Sequence, residues 1–596
     1  MFVKLITKGI LLTLMFVVFG TTGGFAQIPN HTYPRTGIFQ FGRGVADWYA
    51  RFDLVIVSTE NPSFAREIKQ LNPQTVFLPT RGWTTWSNQS DHRFPDGTKE
   101  NWLVPTSAGQ PAGAEWNSVL IDMTDYCPTY NGKRFNEAYP EFLLSQIDLT
   151  TFDGIASDWL WSKPHNLTDL DFDRNGRNDY DEHGKEWVER IWLEGVEKLL
   201  TNFRNRLPNN KLMVINSGLF HEFGWDKTNG VVLEWWSGLP SWSYFSRIYQ
   251  KWMEESRHPQ ALVMDVKVDG GDPFRTDETK NYYRLMRFML TVTMLGNGYF
   301  DFSDPKSGHH YHRYYDEFDL NLGYPTGAFT ELPNGVAVRF FDRGVSITNP
   351  SGSTKRVTDS DIRSLSGYRG PYYRFKGGQD PSFNNGTRFD SIDLWGELDP
   401  RNGWRVFGDG IILVNEPMTV VSDITIDNLD YGTSPASKPT KFVGSWEQTD
   451  RGGNSHFIID RAGSDWYPHA FTAAGDGSGR AIFTPTIGAS GKYEVFEWHG
   501  YIDGTNMATN VPCKIASADG VKNVTIDQSK NQGRWNSLGV YTFGAGTAGS
   551  VEISNNANGA VVADIIKFVF KENSTVVTDN IPPNAPSGLK VREVGN

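Results

Sequence analysis

From Arg35 to about Asp304, short apolar runs alternate with amphipathic stretches. The runs fall at 37–41, 54–58, 75–79, 152–158, 212–217, 231–235, 261–266 and 299–302. Most are continuous rather than alternating, as parallel strands buried on both faces require. The stretches between them carry helical punctuation. Asn61 and Pro62 supply an N-cap and a proline at the first helical position. Over 182–207, Trp187, Ile191, Gly195, Leu199 and Phe203 repeat every fourth residue along one ridge, and Pro208 stops it. A further helix is predicted over 277–295, closed by Gly296. Eight strands in about 270 residues, with helices between them, predict a (β/α)8 barrel. A ninth run at 119–123 is assigned to the long loop after the third strand, because counting it as a barrel strand breaks the count. The rival is an open doubly wound sheet. No GxGxxG or phosphate-binding glycine loop follows any strand, which weakens a nucleotide-binding version of it.

After Asp319 the helical pattern stops. Runs at 335–341, 344–348 and 410–414, separated by Gly, Asn and Pro turns, predict a β-sandwich over 326–428. A Gly/Ser/Pro-rich stretch within 429–440 reads as a linker. Runs at 480–484, 492–498, 524–527, 539–543, 550–553 and 561–570 predict a second all-β sandwich-type domain over 441–572, with a further linker and tail at 573–596. The expected architecture is multidomain: a (β/α)8 barrel over 27–325 followed by two all-β domains. A 596-residue chain is too long for one ordinary core in any case.

The start of the chain reads as a signal peptide over 1–26. Lys4 and Lys8 precede an apolar run at 10–19, and Gly24-Phe25-Ala26 is a small-x-small cleavage site. The mature protein is expected to be secreted, periplasmic or on the cell surface. No later stretch is long and apolar enough to span a membrane. Cys127 and Cys513 fall in different predicted domains and read as separate buried thiols. Lys+Arg total 57 against Asp+Glu 69, a formal charge of -12 with no long basic run, which argues against nucleic acid as a partner. Aromatic residues make up 14% of the chain, with 20 Trp; that is either core or a set of platforms on which sugar rings stack.

In a (β/α)8 barrel the reacting groups stand at the C-terminal ends of strands. Asp158 ends the fourth run and is followed by Trp159 and Trp161; Glu234 lies near the end of the sixth and is followed by Trp235 and Trp236. Glycoside hydrolysis needs such a pair across the scissile bond, one protonating the leaving oxygen and the other attacking the anomeric carbon or activating water. Taken singly, each acid could instead cap a helix or pair with a buried arginine. The same placement rule nominates Arg81, Trp83, Asp122, Asn216, Asp265, Asp301 and Asp304 as substrate-binding candidates. His309, His310 and His312 follow strand eight. Their spacing lacks the i,i+4 pair and adjacent glutamate of a metallohydrolase, so His310 is read as a hydrogen-bonding group for sugar.

Residues 171–182 read DFDRNGRNDYDE, matching D-x-[DN]-x-[DN]-G with Glu at position twelve. Asp171, Asp173 and Asn175 would supply side-chain oxygens to Ca2+, Arg177 its carbonyl, Asp179 a direct or water-bridged oxygen, and Glu182 two oxygens. No entering helix precedes the loop, so it reads as a lone structural calcium loop beside Asp158, not a paired sensor.

FDGIASDWLW, the acidic loop behind it, NGVVLEWW, YYDEFDLNLGYPTG and VAVRFFDRGVSITNPS together resemble bacterial glycoside hydrolases of the TIM-barrel type, over roughly 35–350. The resemblance implies a retaining or inverting glycosidase with acids on strands four and six, the positions of Asp158 and Glu234. WEQTDRGG, GKYEVFEWHG, VTIDQ, GRWNSLGVYTF and GAVVADIIKFVF are similar to the golvesin and xanthan-lyase carbohydrate-binding-like domain. DNIPPNAPSGLKV resembles the first strand of a fibronectin type III domain. The expectation is a secreted hydrolase of a polysaccharide or oligosaccharide, with Asp158 as nucleophile or base and Glu234 as acid. The rival is a non-catalytic exported carbohydrate-binding or surface adhesion protein.

Overall fold

The structure is a computed structural model. It describes residues 28–571 apart from 42–44, 88–98, 116, 218–222, 235–237, 268–277, 304–311, 313, 378, 422, 429–438, 454 and 456–468. The signal peptide and the fibronectin-like tail lie outside the described residues.

All eight apolar runs are strands of one parallel sheet: β1 (Gly37–Gln40), β2 (Leu54–Val57), β3 (Val76–Gly82), β4 (Gly154–Asp158), β5 (Leu212–Asn216), β6 (Gly230–Leu233), β7 (Val263–Lys267) and β8 (Tyr299–Ser303), neighbours in that order. A parallel bridge between Thr36 and Phe300 closes the ring between first and last strand. The strands are apolar throughout because both faces are covered. Phe39, Ile56, Leu78, Ala156, Val214, Val232 and Val263 fill the barrel interior. The alternate residues, Ile38, Val55, Phe77, Ile155, Ile215, Val231 and Met264, join the core outside it, under the helices.

The larger helices are α1 (Pro62–Leu71), α2 (Phe135–Gln146), α3 (Lys185–Arg206), α4 (Trp242–Glu255) and α5 (Glu278–Thr293). Asn61 caps α1 by accepting from the Ser63 amide at 3.0 Å. Of the predicted ridge of α3, Ile191, Gly195, Leu199 and Phe203 are buried and Trp187 is half-buried. Gly195 is there because a Cβ would sit 2.0 Å from the Met123 carbonyl oxygen, so this ridge packs directly on the backbone that ends the ninth run. That run forms Ser118–Leu120, antiparallel to Thr85–Ser87 and outside the barrel.

Antiparallel sheets follow. Thr330–Glu331, Ala337–Phe341, Gly344–Asn349, Asp409–Val414 and Tyr373–Arg374 form one; Ser353–Thr358, Ser391–Leu398 and Val406–Phe407 form another. This unit packs on α5, where Arg287 reaches Asp380 at 2.8 Å and Asp409 at 3.5 Å. A second β unit has sheets of four, five and three strands around Tyr493, Val495, Ile515, Val551 and Phe568. Ile424–Asp427 pairs there with Ile565–Lys571. The second unit touches the barrel at Asp47, which accepts from the Trp535 indole and lies 3.6 Å from Lys567 Nζ. Cys127 and Cys513 are buried and free. Among the described residues, no helix is long and apolar enough to cross a membrane.

Candidate active site

Side chains alternate along a strand, so residues two positions beyond the interior layer also point inward. On five of the strands those residues are Asp158, Asn216, Glu234, Asp265 and Asp301, following Ala156, Val214, Val232, Val263 and Tyr299. The interior therefore changes from apolar to polar at the C-terminal mouth. Asp265 and Asp301 are registered neighbours on β7 and β8. Asn216, fully buried between two acids, donates through its amide nitrogen to Asp158 Oδ1 at 2.9 Å and to Glu234 Oε2 at 2.5 Å. Two oxygens held at 2.9 and 2.5 Å by one nitrogen stand no more than about 5.4 Å apart. Glu234 is 8% exposed, and Asp158 is the more open of the pair.

Asp301, on β8, is committed differently. Its Oδ2 accepts from the Phe39 amide at 2.7 Å, and its Oδ1 lies 2.7 Å from His312 Nδ1; both side chains are buried. His310, Asp304, Trp235 and Trp236 lie outside the described residues.

Trp159 and Trp161 are half-buried around His165, a residue that no motif marks. Trp161 stacks on the imidazole with centroids 4.4 Å apart, and Trp159 meets it edge-on at 5.8 Å. Burial, with Lys163 adding to it, pushes His165 down to about 4, so it is a neutral spacer between the rings. Trp159 takes a left-handed backbone (φ 54), and its carbonyl accepts from the Thr84 hydroxyl, which ties the β4 loop to the β3 loop. Three other candidates are engaged with neighbouring side chains. Trp83 is fully buried and stacks on Phe203 of α3 at 4.2 Å. Arg81 is ion-paired with Glu60. Asp122 is fully buried, accepts from the Thr124 amide and hydroxyl at 2.9 and 2.7 Å, and meets Arg174 at 3.2 Å. Burial pushes the Asp122 carboxyl up to about 6.

Arg174 belongs to the acidic loop, so Asp122 anchors that loop from across the chain. Within the loop, Asp171 accepts from the Asn175 and Gly176 amides, each at 2.9 Å, and Gly176 supplies the left-handed turn (φ 81). Asn175 donates to Asp173 Oδ2 at 3.0 Å and Glu182 Oε2 at 2.6 Å; Arg177 pairs with Glu182 at 3.2 Å. Asp173, Asp179, Glu182 and His183 each bring one ligand atom within 4.8 Å of the others. The motif does not reach His183, which lies one residue past it. Asp179 is fully buried, accepts from the Phe172 amide at 2.6 Å, and has its other oxygen without a hydrogen-bond partner among the described residues. Burial first, then Asp173 and Asp171, push its carboxyl up to about 6. Three converging carboxylates with a buried, unsatisfied oxygen are a donor set that fits a divalent cation.

A 155-residue stretch is 33% identical to a xanthan lyase from Bacillus sp. (strain GL1), covering 24% of this chain and 14% of that enzyme. The chain thus spans a small part of the length of the curated relative it matches. Among solved structures, the glycoside hydrolase domain of PelA from Pseudomonas aeruginosa aligns at 12% identity over 45% of this chain and 94% of its own, with a TM-score of 0.29. An Arthrobacter globiformis T6 isomalto-dextranase complexed with panose aligns at 13% identity over 90% of this chain and 96% of its own, with a TM-score of 0.33. Within the chain, residues 433–570 match the Golvesin C-terminal domain.

Proposed function

We propose that the chain is an exported glycoside hydrolase that cleaves a polysaccharide with retention of configuration, using Asp158 and Glu234. The observation that carries this reading is the single Asn216 nitrogen bonded to both carboxylates at the barrel mouth. Retaining glycosidases hold their carboxyl groups about 5–5.5 Å apart, whereas inverting ones keep about 6.5–9.5 Å to admit a water. The spacing that Asn216 imposes supports the first geometry. Asp158, the more open acid, attacks the anomeric carbon as the glycosidic C–O bond breaks. Glu234, shielded from solvent, gives its proton to the departing oxygen. In the second half Glu234 takes a proton from water, whose oxygen displaces Asp158 and restores both groups. Trp159 and Trp161 offer ring faces and edges on the loop that leaves Asp158.

We assign the acidic loop to Ca2+, with Asp173, Asp179 and Glu182 as carboxylate ligands and Asp171, Asn175 and the Arg177 carbonyl completing the shell. A bound cation cancels the repulsion among these carboxylates and braces the β4 loop. The Golvesin-like unit is assigned to carbohydrate binding, and the signal-like leader to export.

The test is release of reducing sugar across a panel of bacterial and plant polysaccharides. On a cleaved substrate, Asp158→Asn and Glu234→Gln are each expected to lose about 10²- to 10⁴-fold in kcat. An aryl glycoside with an acidic leaving group needs no protonation, so it should restore Glu234→Gln more than Asp158→Asn. NMR of the first-formed anomer checks retention. Full activity in either variant, or an inverted product, refutes this reading. Binding without hydrolysis, unchanged in both variants, makes the chain a carbohydrate-binding or adhesion protein instead.

A further inference from the structure

We propose that the β unit following the barrel supplies a distal sugar subsite to the cleft, with Trp404 as its stacking platform. The inference rests on the reading of the barrel as a polysaccharide hydrolase. Among the described residues, Trp404 is the tryptophan that stands exposed, at 49%, while Trp83, Trp102, Trp192 and Trp252 are fully buried. An exposed indole on a flexible loop would mean little. Trp404 instead sits on a turn whose polar groups are used to hold its shape.

The turn joins Ser391–Leu398 to Val406–Phe407, which pair antiparallel through Glu397 with Phe407 and Leu398 with Val406. Asp399, fully buried, is its hub. It takes a two-pronged contact from Arg401, with Nε to Oδ1 at 2.9 Å and Nη2 to Oδ2 at 2.7 Å, and its carbonyl accepts from the Gly403 amide at 2.7 Å. Asn402 Oδ1 then accepts from the amides of Trp404 and Arg405 at 3.1 and 3.0 Å. Gly403 provides the left-handed corner (φ 67). The Arg405 guanidinium backs the indole, 5.8 Å from the ring centroid. The backbone that carries the ring is thus set before any ligand arrives, which lowers the ordering cost of binding.

The turn is also fastened to the barrel at the right place. Leu239 and Val406 exchange both backbone hydrogen bonds, at 2.9 and 2.7 Å. Leu239 lies five residues beyond Glu234 on the loop that leaves the proposed acid, so chain reach alone keeps it within about 18 Å of Glu234. Gly238 suits this joint: its φ of 148 is one that L side chains rarely adopt, and a Cβ would stand 3.0 Å from the Val406 carbonyl oxygen. An exposed indole on an ordered turn, anchored to the chain that leaves Glu234, has the chemistry to take one pyranose face of a chain already threaded past Asp158 and Glu234.

The experiment compares kcat/KM of the full-length parent, Trp404→Ala and Trp404→Phe on the polysaccharide the enzyme cleaves and on a short oligosaccharide of the same linkage. The polymer-to-oligosaccharide ratio is expected to fall about tenfold in Trp404→Ala, through KM, with Phe recovering most of it. Affinity electrophoresis on the same polysaccharide, in an Asp158→Asn background, should show the matching loss of retardation. An unchanged ratio with unchanged retardation overturns the subsite and leaves the barrel reading intact. Equal losses on both substrates without rescue by Phe also overturn it, because Trp404 then only supports the turn. If the parent cleaves nothing in the panel, the barrel reading falls and takes the subsite with it.

Discussion

Glu317 offers a perturbation that needs no substrate. It lies in the short helix Asp316–Asp319, just after the barrel, and is 2% exposed where the first β unit packs on. Its Oε1 accepts from the Asn384 amide at 2.9 Å. Burial outweighs Asn384 and the nearby Arg287 and pushes the carboxyl from 4.5 up to about 7. Because the folded value is raised, the native state keeps a proton that the unfolded chain releases between pH 4.5 and about 7. The native state therefore loses stability as pH climbs through that window, and the loss levels off above it. At about 1.4 kcal/mol for each pH unit of the window, the total is about 3 kcal/mol. Glu317→Gln keeps an acceptor for Asn384 and has no charge to bury. It should match the parent near pH 4.5 and exceed it by up to about 3 kcal/mol at pH 8, or about 6–12 °C for a domain of this size. The assay is a pair of thermal melts every half pH unit from about 3.5 to about 8.5, spanning the window on both sides. Only the difference between the two proteins is used, so other titrating groups cancel. A difference that stays flat with pH refutes the reasoning.

Three further outcomes are expected. Asn216→Ala removes charge-assisted hydrogen bonds worth about 1.5–3 kcal/mol each from both acids, so the melting temperature should fall together with kcat on the cleaved polysaccharide, the latter at least about tenfold. Chelator should lower the parent's melting temperature, as a cation at about 100 times its Kd adds about 2.7 kcal/mol, and Asp173→Ala should abolish that response; identical melts with and without chelator reduce the loop to a turn. Trp83→Ala should cost about 3–5 kcal/mol in a denaturant titration, while Trp161→Ala should change KM with little loss of stability.

The barrel is legible because burial on both faces writes each strand as an unbroken apolar run, and only the ends need correcting. β3 runs to Gly82, three residues beyond its apolar run, and this is why Trp83 reads as a mouth residue in the sequence. Past a strand end, sequence does not say which way a side chain turns, and this one turns onto Phe203. Asp158 and Glu234 can be named because strand ends are where such barrels carry chemistry. Asn216 can be named too, but its role as a bridge is not legible, since it depends on the mutual register of β4, β5 and β6. The Asp122–Arg174 contact joins residues 52 apart, and no local pattern encodes it. The acidic loop is legible as a motif, but His183 enters the cluster only once the chain has turned back after Glu182.

The inward carboxyls of the mouth are equivalent as sequence, each at or near the end of a run, and hydrogen bonding separates them. Asp301 has one oxygen on the Phe39 amide of β1 and the other on His312. β1 and β8 meet at the seam, where a parallel bridge joins Thr36 and Phe300. A carboxylate accepting from the first strand while standing on the last is a clip across that seam. Asp158 and Glu234 are related by a different logic. They stand on strands separated by one, the register of the sheet brings them to the same level, and the strand between them contributes the shared donor. The same inward, strand-end position thus holds carboxyls with different partners: Asp301 joins two strands of the seam, and Asp158 and Glu234 share one donor.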